Sequence, residues 1–307
     1  MTNFIDVAII GAGPAGMAAA VDAENNRLNF VLFENNKSGW YAEYSINQHY
    51  TVDGYLGAYN TTGTELVESF KKHLDSKGIK ITPKKVEAVK KHEDNFVISC
   101  DDGSTYIARF LVIASGTTPK KLYIENYDKF FGKYIFNFVC KEDLDYEGKN
   151  VVVLGGRNSG TTTAIFLANN TSANVTLIER DSTLNATRKY LERLAKTHVK
   201  AITSATVYRI NGEDKLESVD MVVGNQSLTI PCDYLFCSIG MKPNLKYLNG
   251  LEIATDSLGR IVVDPLTMES SIPNVYAIGD INQLLPKQVS NATANGKTAI
   301  YFINKKI

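Results

Sequence analysis

The chain has 307 residues with 33 basic and 33 acidic side chains, so its formal net charge is zero. This balance argues against nucleic acid or an anionic membrane as the main partner, because both attract a cationic surplus. No apolar run approaches the ~20 residues that span a bilayer. Four cysteines in this length exclude a disulfide-built fold. The N-terminus lacks signal-peptide features, so we expect a cytoplasmic protein of two domains.

The chain opens with a predicted strand, a glycine turn and a helix. The predicted strand at 4–10 leads into GAGPAG, and Glu34 ends the next predicted strand 23 residues after Gly11. Such a loop lets backbone and helix N-terminus approach a pyrophosphate, while the acidic residue accepts a hydrogen bond from a ribose hydroxyl. The pattern predicts a dinucleotide site. Its residues are Gly11, Gly13, Pro14, Ala15, Gly16 and Glu34.

The same arrangement recurs near the middle of the chain. A predicted strand at 150–154 leads into GGRNSG, and Glu179 ends the following strand 24 residues after Gly155. Two such units in register are far more specific than one. They predict an α/β protein with two Rossmann-like dinucleotide-binding domains, in three ββα layers, the second inserted into the first. We expect residues 1–117 and 245–307 to form the first domain, and residues 118–244 the second.

These motifs resemble the thioredoxin-reductase-like group of two-domain flavoproteins. The resemblance covers essentially the whole chain and includes GAGPAG with Glu34, the turn at 114–116, GGRNSG, FCSIGMKPN and YAIGD. It implies FAD in the first domain, NADH or NADPH in the second, and a homodimer. It also implies cofactor contacts outside the first glycine loop. Those residues are Trp40, Tyr44, Val86, Ala114, Ser115, Gly116, Gly155, Arg157, Asn158, Ser159, Glu179, Arg180, Gly240, Gly279, Asp280, Lys287, Gln288 and Val289.

Two residues are expected to act catalytically beside the flavin. The resemblance aims the helix N-terminus at Gln288 and Val289 toward the flavin N1–C2 carbonyl, where its dipole stabilises the negative charge of reduced flavin. A generic strand-turn-helix terminus is the alternative. Tyr44, with Trp40 as a second candidate, is an aromatic side chain suited to stacking on the isoalloxazine, although a loop aromatic can simply pack. We therefore expect Tyr44 and Gln288 to be catalytic.

The cysteine pattern departs from that of thioredoxin reductase. Those enzymes carry Cys-x-x-Cys at the start of the inserted domain, whereas the matching stretch here has only Cys140. A dithiol relay needs one thiol to attack and a second to resolve. Cys232 and Cys237 lie near a strand that holds them too far apart for a disulfide, so we expect structural thiols. The stretches Pro119-Lys120-Lys121-Leu122, Phe138-Val139 and Tyr50-Thr51-Val52-Asp53-Gly54-Tyr55 resemble those of ferredoxin–NAD(P)+ reductases of the thioredoxin-reductase type, which also lack the pair.

The second glycine loop carries Arg157 where the middle glycine normally lies. Its side chain could block the nucleotide or pair with phosphate oxygens, and the bacillithiol branch, with Lys at this place, favours retained binding. NADPH-specific relatives have His-Arg-Arg where this chain has Glu179-Arg180-Asp181. Because Glu179 accepts from a 2′-hydroxyl and repels a 2′-phosphate, the sequence favours NADH over NADPH.

The sequence thus predicts an FAD-dependent oxidoreductase that passes electrons between NAD(P)H and an external acceptor such as ferredoxin, without a redox-active dithiol. One alternative is a relative that has lost its nicotinamide site and takes electrons from another donor. Another is a non-enzymatic binding module on the same scaffold. A true thioredoxin reductase is disfavoured by the missing cysteine. The four histidines lack the spacing of metal ligands, so no metal site is predicted.

Overall fold

The computed structural model describes residues 3–35, 52, 54–139 and 144–307. The chain divides into two compact units, with Met1–Thr118 and Lys242–Ile307 in unit 1 and Pro119–Met241 in unit 2. The predicted positions Trp40, Tyr44 and Cys140 lie outside the described residues.

Strands and helices alternate along much of the described chain. The strands are β1 (Asn3–Ile10), β2 (Phe30–Phe33), β3 (Ile81–Thr82), β4 (Val86–His92), β5 (Asn95–Cys100), β6 (Thr105–Ile113), β7 (Thr117–Pro119), β8 (Ile135–Phe136), β9 (Asn150–Leu154), β10 (Asn174–Ile178), β11 (Lys200–Ile202), β12 (Ala205–Asn211), β13 (Ser218–Val223), β14 (Gln226–Pro231), β15 (Tyr234–Cys237), β16 (Met241–Pro243) and β17 (Val275–Ala277). The α-helices are α1 (Pro14–Asn25), α2 (Gly63–Ser76), α3 (Tyr127–Phe130), α4 (Asn158–Asn170), α5 (Arg188–Leu194) and α6 (Val289–Asn304). Short 3₁₀ helices span Lys246–Leu248 and Gly279–Ile281.

Unit 1 is built on a mixed sheet in the order β3-β2-β1-β6-β5-β4, with β17 beside β6. The strands β1, β2, β3, β6 and β17 pair in parallel, whereas β4, β5 and the start of β6 form an antiparallel meander. The central strand β1 is apolar from Val7 to Ile10, with Val7, Ala8 and Ile9 fully buried. A continuous apolar run of this kind is what a parallel strand covered on both faces requires.

Close packing between α1 and α6 depends on a glycine. A Cβ at Gly296 would lie 2.4 Å from the Ala15 carbonyl oxygen, closer than side-chain carbons approach backbone. The absence of a side chain at this point lets the two helices lie against each other. The facing residues of α1 are Ala15, Ala18 and Ala19, whose small side chains permit this contact.

Unit 2 contains a parallel sheet in the order β11-β10-β9-β15-β8 and a separate antiparallel sheet, β12-β13-β14. Side chains from the two sheets share one core, in which Leu235, Val219 and Met221 are fully buried. Residues alternate along a strand, so Val151 and Val153 point to the other face of the parallel sheet, where α4 contacts β9 and β10. This is the three-layer ββα arrangement that the sequence predicts. The short strands β7 and β16 pair as a separate two-stranded sheet.

Candidate functional site

The first glycine loop follows β1 directly and has a backbone that only glycine accommodates at two points. Gly11 has φ +106°, and a Cβ there would lie 2.4 Å from the Ala114 carbonyl oxygen. A Cβ at Gly16 would lie 1.9 Å from the Gly11 carbonyl oxygen. Gly13, which caps the N-terminus of α1, differs because a Cβ there meets no atom within 4 Å. The loop is therefore tight on its inner side and open at Gly13, beside the positive end of the helix dipole.

The Glu34 carboxylate lies against this loop. Its Oε2 accepts a hydrogen bond from the Ala12 amide at 2.9 Å, and its Oε1 accepts one from Asn35 at 2.8 Å. These two contacts fix the carboxylate where β2 ends, next to the loop that follows β1. A ribose bound at the loop would find an acceptor already oriented.

The second glycine loop repeats this geometry in unit 2. Gly155 has φ +107°, and a Cβ there would lie 2.3 Å from the Ser238 carbonyl oxygen. A Cβ at Gly160 would lie 1.8 Å from the Gly155 carbonyl oxygen. The buried Glu179 carboxylate accepts from the Gly156 amide through Oε2 and from the Asp181 amide through Oε1 at 3.0 Å. The two carboxylates thus make equivalent contacts with equivalent loops.

Arg157 occupies the position in unit 2 that Gly13 has in unit 1. It caps α4 with φ −87° and ψ −177°, close to the φ −72° and ψ −179° of Gly13. Both are extended conformations that any residue adopts, so the arginine leaves the loop path unchanged. Its exposed side chain stands at the helix N-terminus, where guanidinium can pair with phosphate oxygens. The second glycine loop therefore keeps the backbone conformation of the first, although its middle glycine is replaced by Arg157.

The segment after β10 is tied to the second loop. The Asn185 amide donates to the Gly156 carbonyl at 2.9 Å, and the Thr187 amide donates to Asn158 Oδ1 at 2.8 Å. The structure therefore brings Asn158, Glu179 and the loop together, as the sequence predicts. Arg180 is 80% exposed, with its Nε 3.8 Å from a carboxylate oxygen of Asp181. The contacts to Asn185 and Thr187 have no fingerprint in the sequence, because they depend on how the segment turns back.

The remaining predicted residues of unit 2 occupy separate positions. Ser159 lies exposed in the first turn of α4. Gly240 has φ +106°, and a Cβ there would lie 3.7 Å from Lys120 Cδ, in ordinary contact with that side chain. Thus Ser159 belongs to the glycine loop region, while Gly240 follows β15 and accepts a hydrogen bond from the Lys120 amide at 2.9 Å.

The turn at 114–116 lies beside the first glycine loop at the end of β6. The Ala114 amide donates to the Ile10 carbonyl at 2.8 Å, continuing the pairing of β6 with β1. Ser115 Oγ donates to the Asn244 carbonyl at 3.1 Å and accepts from the Tyr247 hydroxyl at 2.9 Å. Asn244 in turn donates from its backbone amide to the Gly116 carbonyl at 3.2 Å and from Nδ2 to the Ser115 carbonyl at 2.9 Å. These contacts hold the turn in a single conformation beside Gly11. Asn244 ends the FCSIGMKPN motif, whereas no motif marks Tyr247 as part of this region.

A third component of unit 1 is the segment from Gly279 to Val289. Gly279, at φ +74°, lies so near α1 that a Cβ would be 2.9 Å from Ala15 Cβ. Burial raises the pKa of the Asp280 carboxyl, and the Lys287 ammonium partly opposes that rise. Burial also lowers the pKa of Lys287. Gln288 is the N-cap of α6, which begins at Val289. A cavity of about 240 Å³ opens along this segment, with Asp280, Lys287, Gln288, Asn291 and Asn295 in its lining.

Val86 is buried at the start of β4 and pairs with Cys100 in β5. It lies in the sheet whose strand β1 leads into the first glycine loop, although two strands, β6 and β5, separate β4 from β1. The position is compatible with a backbone contact only, because the side chain belongs to the core.

The donor sets in the two units fit dinucleotides. Each has a helix N-terminus behind a glycine loop, which suits a pyrophosphate, and an oriented carboxylate at the end of the next strand, which suits a ribose. The open space at Gly13 admits a phosphate group close to the backbone of unit 1. The fold and the two loops define a protein with two Rossmann-like domains, each with a donor set that suits a dinucleotide.

Comparisons with known proteins identify the family. Residues 5–296 match the family described as pyridine nucleotide-disulphide oxidoreductase. The chain is 31% identical over 307 residues to the "34.2 kDa protein in rubredoxin operon" of Clostridium pasteurianum, covering 99% of this chain and 97% of that protein. It is 31% identical over 306 residues to the thioredoxin reductase of Mycoplasma genitalium, with coverages of 98% and 95%. The chain therefore belongs to the pyridine nucleotide-disulphide oxidoreductase family.

Solved structures support the same assignment. The thioredoxin reductase of T. acidophilum superposes with a TM-score of 0.90 at 29% identity, over 99% of both chains. The bacillithiol disulfide reductase of Bacillus cereus has a TM-score of 0.85 at 22% identity over 99% of this chain and 100% of that chain, a likeness of fold alone. The predicted resemblance and the fold of two Rossmann-like domains are confirmed. Thioredoxin-reductase-like proteins of this family bind FAD and NAD(P)H, which confirms the predicted cofactors.

The described part of the chain contains neither a metal-binding cluster nor a helix able to cross a membrane. Within residues 3–35, 52, 54–139 and 144–307, no group of three or more His, Cys, Asp or Glu side chains is placed to hold a metal ion. Over the same residues, no helix combines the length and apolar character that crossing a membrane demands.

The cysteines of the described residues are free and buried. They are Cys100, Cys232 and Cys237. Burial raises the pKa of all three thiols, that of Cys237 to about 12. The Cys232 thiol also donates to the Tyr234 carbonyl at 3.2 Å. Because the thiolate is the reactive form, these side chains are expected to be inert near neutral pH.

This expectation can be measured with a chromogenic disulfide reagent. In a Cys140→Ser variant, we expect no thiol of the native protein to react within minutes at pH 8, and three to react after unfolding in guanidinium chloride. The raised pKa values keep the thiols protonated and burial excludes the reagent. A rapid phase in the native variant would show that one of the three is accessible and available for redox chemistry.

Proposed function

We propose that the protein oxidises NADH through FAD and reduces an external one-electron acceptor, without using a dithiol of its own. The observation that carries the proposal is the match between the two sites, in which Glu179 contacts its loop as Glu34 does. It supports a nicotinamide nucleotide site that is retained despite Arg157. The chain has no Cys-x-x-Cys, and the cysteines of the described residues are buried, which supports electron transfer without a protein disulfide.

The residues of unit 1 would bind FAD. Gly11, Gly13 and the following residues Pro14 to Gly16 would approach the pyrophosphate, with α1 supplying backbone amides. Glu34 would accept from the adenosine ribose. Asp280 and Lys287, at the turn before α6, would hold the polar region nearer the ring. The roles proposed for Trp40, Tyr44, Val86, the turn at 114–116 and the Gln288 helix terminus rest on the family resemblance.

The residues of unit 2 would bind NADH. Arg157 would pair with the pyrophosphate, and Glu179 would accept from the adenosine ribose hydroxyls. A 2′-phosphate would be repelled by the carboxylates of Glu179 and Asp181. The Arg180 side chain is exposed, so solvent screens its charge and it would offset this repulsion only in part. This electrostatic balance supports a preference for NADH over NADPH.

FAD, when bound, can receive two electrons as a hydride and pass them on singly. The overall reaction is the oxidation of one NADH to NAD+ and a proton, with the reduction of two one-electron acceptors. Ferredoxin is the acceptor suggested by the resemblance. The name of the relative from Clostridium pasteurianum mentions a rubredoxin operon, which supports testing rubredoxin as well. A homodimer is proposed from the family alone.

The proposal is tested by comparing donors and acceptors in steady state. We expect kcat/KM for NADH to exceed that for NADPH by about tenfold or more, equivalent to ~1.4 kcal/mol of discrimination. We expect reduction of ferricyanide, ferredoxin or rubredoxin, and none of thioredoxin or other disulfides. Equal use of both nucleotides would contradict the proposed role of Glu179 and Asp181. Rapid reduction of disulfides would contradict the dithiol-free route.

A second candidate function is favoured by one observation. Arg157 places a side chain where the open space lies at Gly13 in the other site. If that side chain excludes the pyrophosphate, electrons would come from another donor, such as reduced ferredoxin. A non-enzymatic binding role would leave the flavin unreactive toward every donor tested.

A further inference from the structure

A buried amide lies at the centre of the segment that precedes α6. Asn282 is fully buried, and its side-chain NH₂ donates to the Ala277 carbonyl at 3.1 Å and to Asn295 Oδ1 at 3.2 Å. Its Oδ1 accepts from the Leu284 amide at 3.0 Å. A buried amide with both ends hydrogen-bonded has one defined orientation and is costly to displace.

Asn282 also holds the Lys287 ammonium. Lys287 Nζ donates to the Asn282 backbone carbonyl in a short hydrogen bond and approaches Asn282 Oδ1 at 3.4 Å. It also approaches the Gly279 carbonyl at 3.5 Å. These three acceptors are neutral oxygens, so they fix the position of the cation without cancelling its charge. The ammonium lies at the wall of the cavity that Asp280 and Gln288 also line, and it interacts electrostatically with the Asp280 carboxyl.

Asn295 connects this arrangement to the body of α6. Its Oδ1 accepts from Asn282 and from the Gly279 amide at 3.3 Å. The turn that carries Asp280 is consequently tied to α6 through Asn295, and to the segment before α6 through Lys287. Neither asparagine belongs to the glycine loops or to the residues expected to contact a cofactor.

We propose that Asn282 is a positioning residue that holds the Lys287 ammonium in the FAD site, with Asn295 fixing both to α6. The inference rests on the proposed function, because it assigns the cavity beside Asp280 to the flavin half of the site. A fixed cation there favours the ligand form with more negative charge, so it raises the reduction potential of bound flavin. The Asn282 side chain fixes the turn whose backbone carbonyl binds Lys287, so it acts through Lys287 and need not touch the cofactor.

The test compares Asn282→Ala with Lys287→Met and with the double variant. Gln283→Ala is the matched control, because this neighbouring side-chain amide accepts from the Val263 amide and donates to the Val263 carbonyl, away from Lys287. The midpoint potential of bound FAD is measured by equilibration with a reference dye, and FAD affinity by titration of the apoprotein. Dithionite supplies the electrons for the potential measurement, and the apoprotein titration needs no reductant. Both measurements are therefore independent of NADH.

We expect Lys287→Met to shift the ratio of oxidised to reduced flavin about tenfold toward the oxidised form, or ~30 mV for a two-electron couple. Asn282→Ala should shift the ratio in the same direction by at least about threefold, and FAD affinity should fall in both. Because Asn282 acts through Lys287, the double variant should match Lys287→Met rather than show the sum. Gln283→Ala should leave the potential unchanged.

The inference is overturned if Asn282→Ala lowers only the melting temperature and keeps the wild-type potential and FAD affinity. If that variant does not fold, Asn295→Ala replaces it, with the same expected sign and the same absence of additivity with Lys287→Met. A wild-type protein that binds no FAD overturns the proposed function as well. If the wild-type protein binds FAD but the potential is the same in the wild type and in the Asn282 and Lys287 variants, this inference alone is overturned.

Discussion

Replacing Gly13 with Asp is expected to abolish FAD binding while leaving the apoprotein folded. Gly13 has an extended backbone, and a Cβ there meets no protein atom within 4 Å. Asp is also a better helix N-cap than most residues, so the free protein loses nothing at α1. A carboxylate at this point would face the pyrophosphate. Two like charges ~4 Å apart at an effective dielectric constant of 20 repel by ~4 kcal/mol, about a thousandfold in affinity.

Gly13→Asn is the matched control for this prediction. Asn has nearly the same shape and capping ability as Asp but carries no charge. We expect it to weaken FAD binding through its volume, and Asp to weaken binding further by at least about tenfold. Apoprotein titration with FAD gives the affinities, and circular dichroism with thermal melting reports the fold. Equal affinities for the two variants would mean that no phosphate charge lies near Gly13.

Replacing Arg157 with Ala is expected to raise KM for NADH by about ten- to a hundredfold. The guanidinium stands at the N-cap of α4, and a charge-assisted hydrogen bond to phosphate contributes roughly 1.5–3 kcal/mol. The maximum rate at saturating NADH should change little, because the contact is far from the transferred hydride in any extended dinucleotide. Steady-state kinetics with a dye acceptor separate the two effects.

Arg209→Ala serves as the control for Arg157→Ala. Arg209 lies on β12 of the same unit, is half exposed, and has its Nε 4.0 Å from Glu125, an ion pair expected to contribute little. A decrease in KM on replacing Arg157 would reverse the interpretation. It would show that the Arg157 side chain obstructs the pyrophosphate and weakens nucleotide binding.

The glycine loops and their carboxylates were predictable because each depends on local spacing. Strand, loop and helix are contiguous, and parallel pairing of β1 with β2 and of β9 with β10 brings Glu34 and Glu179 to the loops. The fold follows from the same repeated pattern. The sequence also favours a second site that tolerates Arg157, and the extended backbone of Arg157 is consistent with that hypothesis.

The polar contacts around α6 and beside Ser115 could not be predicted. Asn282 and Asn295 are 13 residues apart, and Ser115 and Tyr247 are 132 residues apart. Asparagine, serine and tyrosine are common in loops, so no residue type or spacing distinguishes these from solvated side chains. Their roles become visible only when the path of the chain buries them together, as for Asn282.

Anaerobic titration of the purified holoprotein with NADH, and separately with NADPH, tests the central claim most directly. The absorption band of the oxidised flavin reports electron arrival without assuming any acceptor. We expect about one equivalent of NADH to bleach this absorption band completely, and NADPH to bleach it much more slowly. A band that persists with both nucleotides, yet bleaches with dithionite or reduced ferredoxin, would contradict a working nicotinamide site and favour the alternative donor.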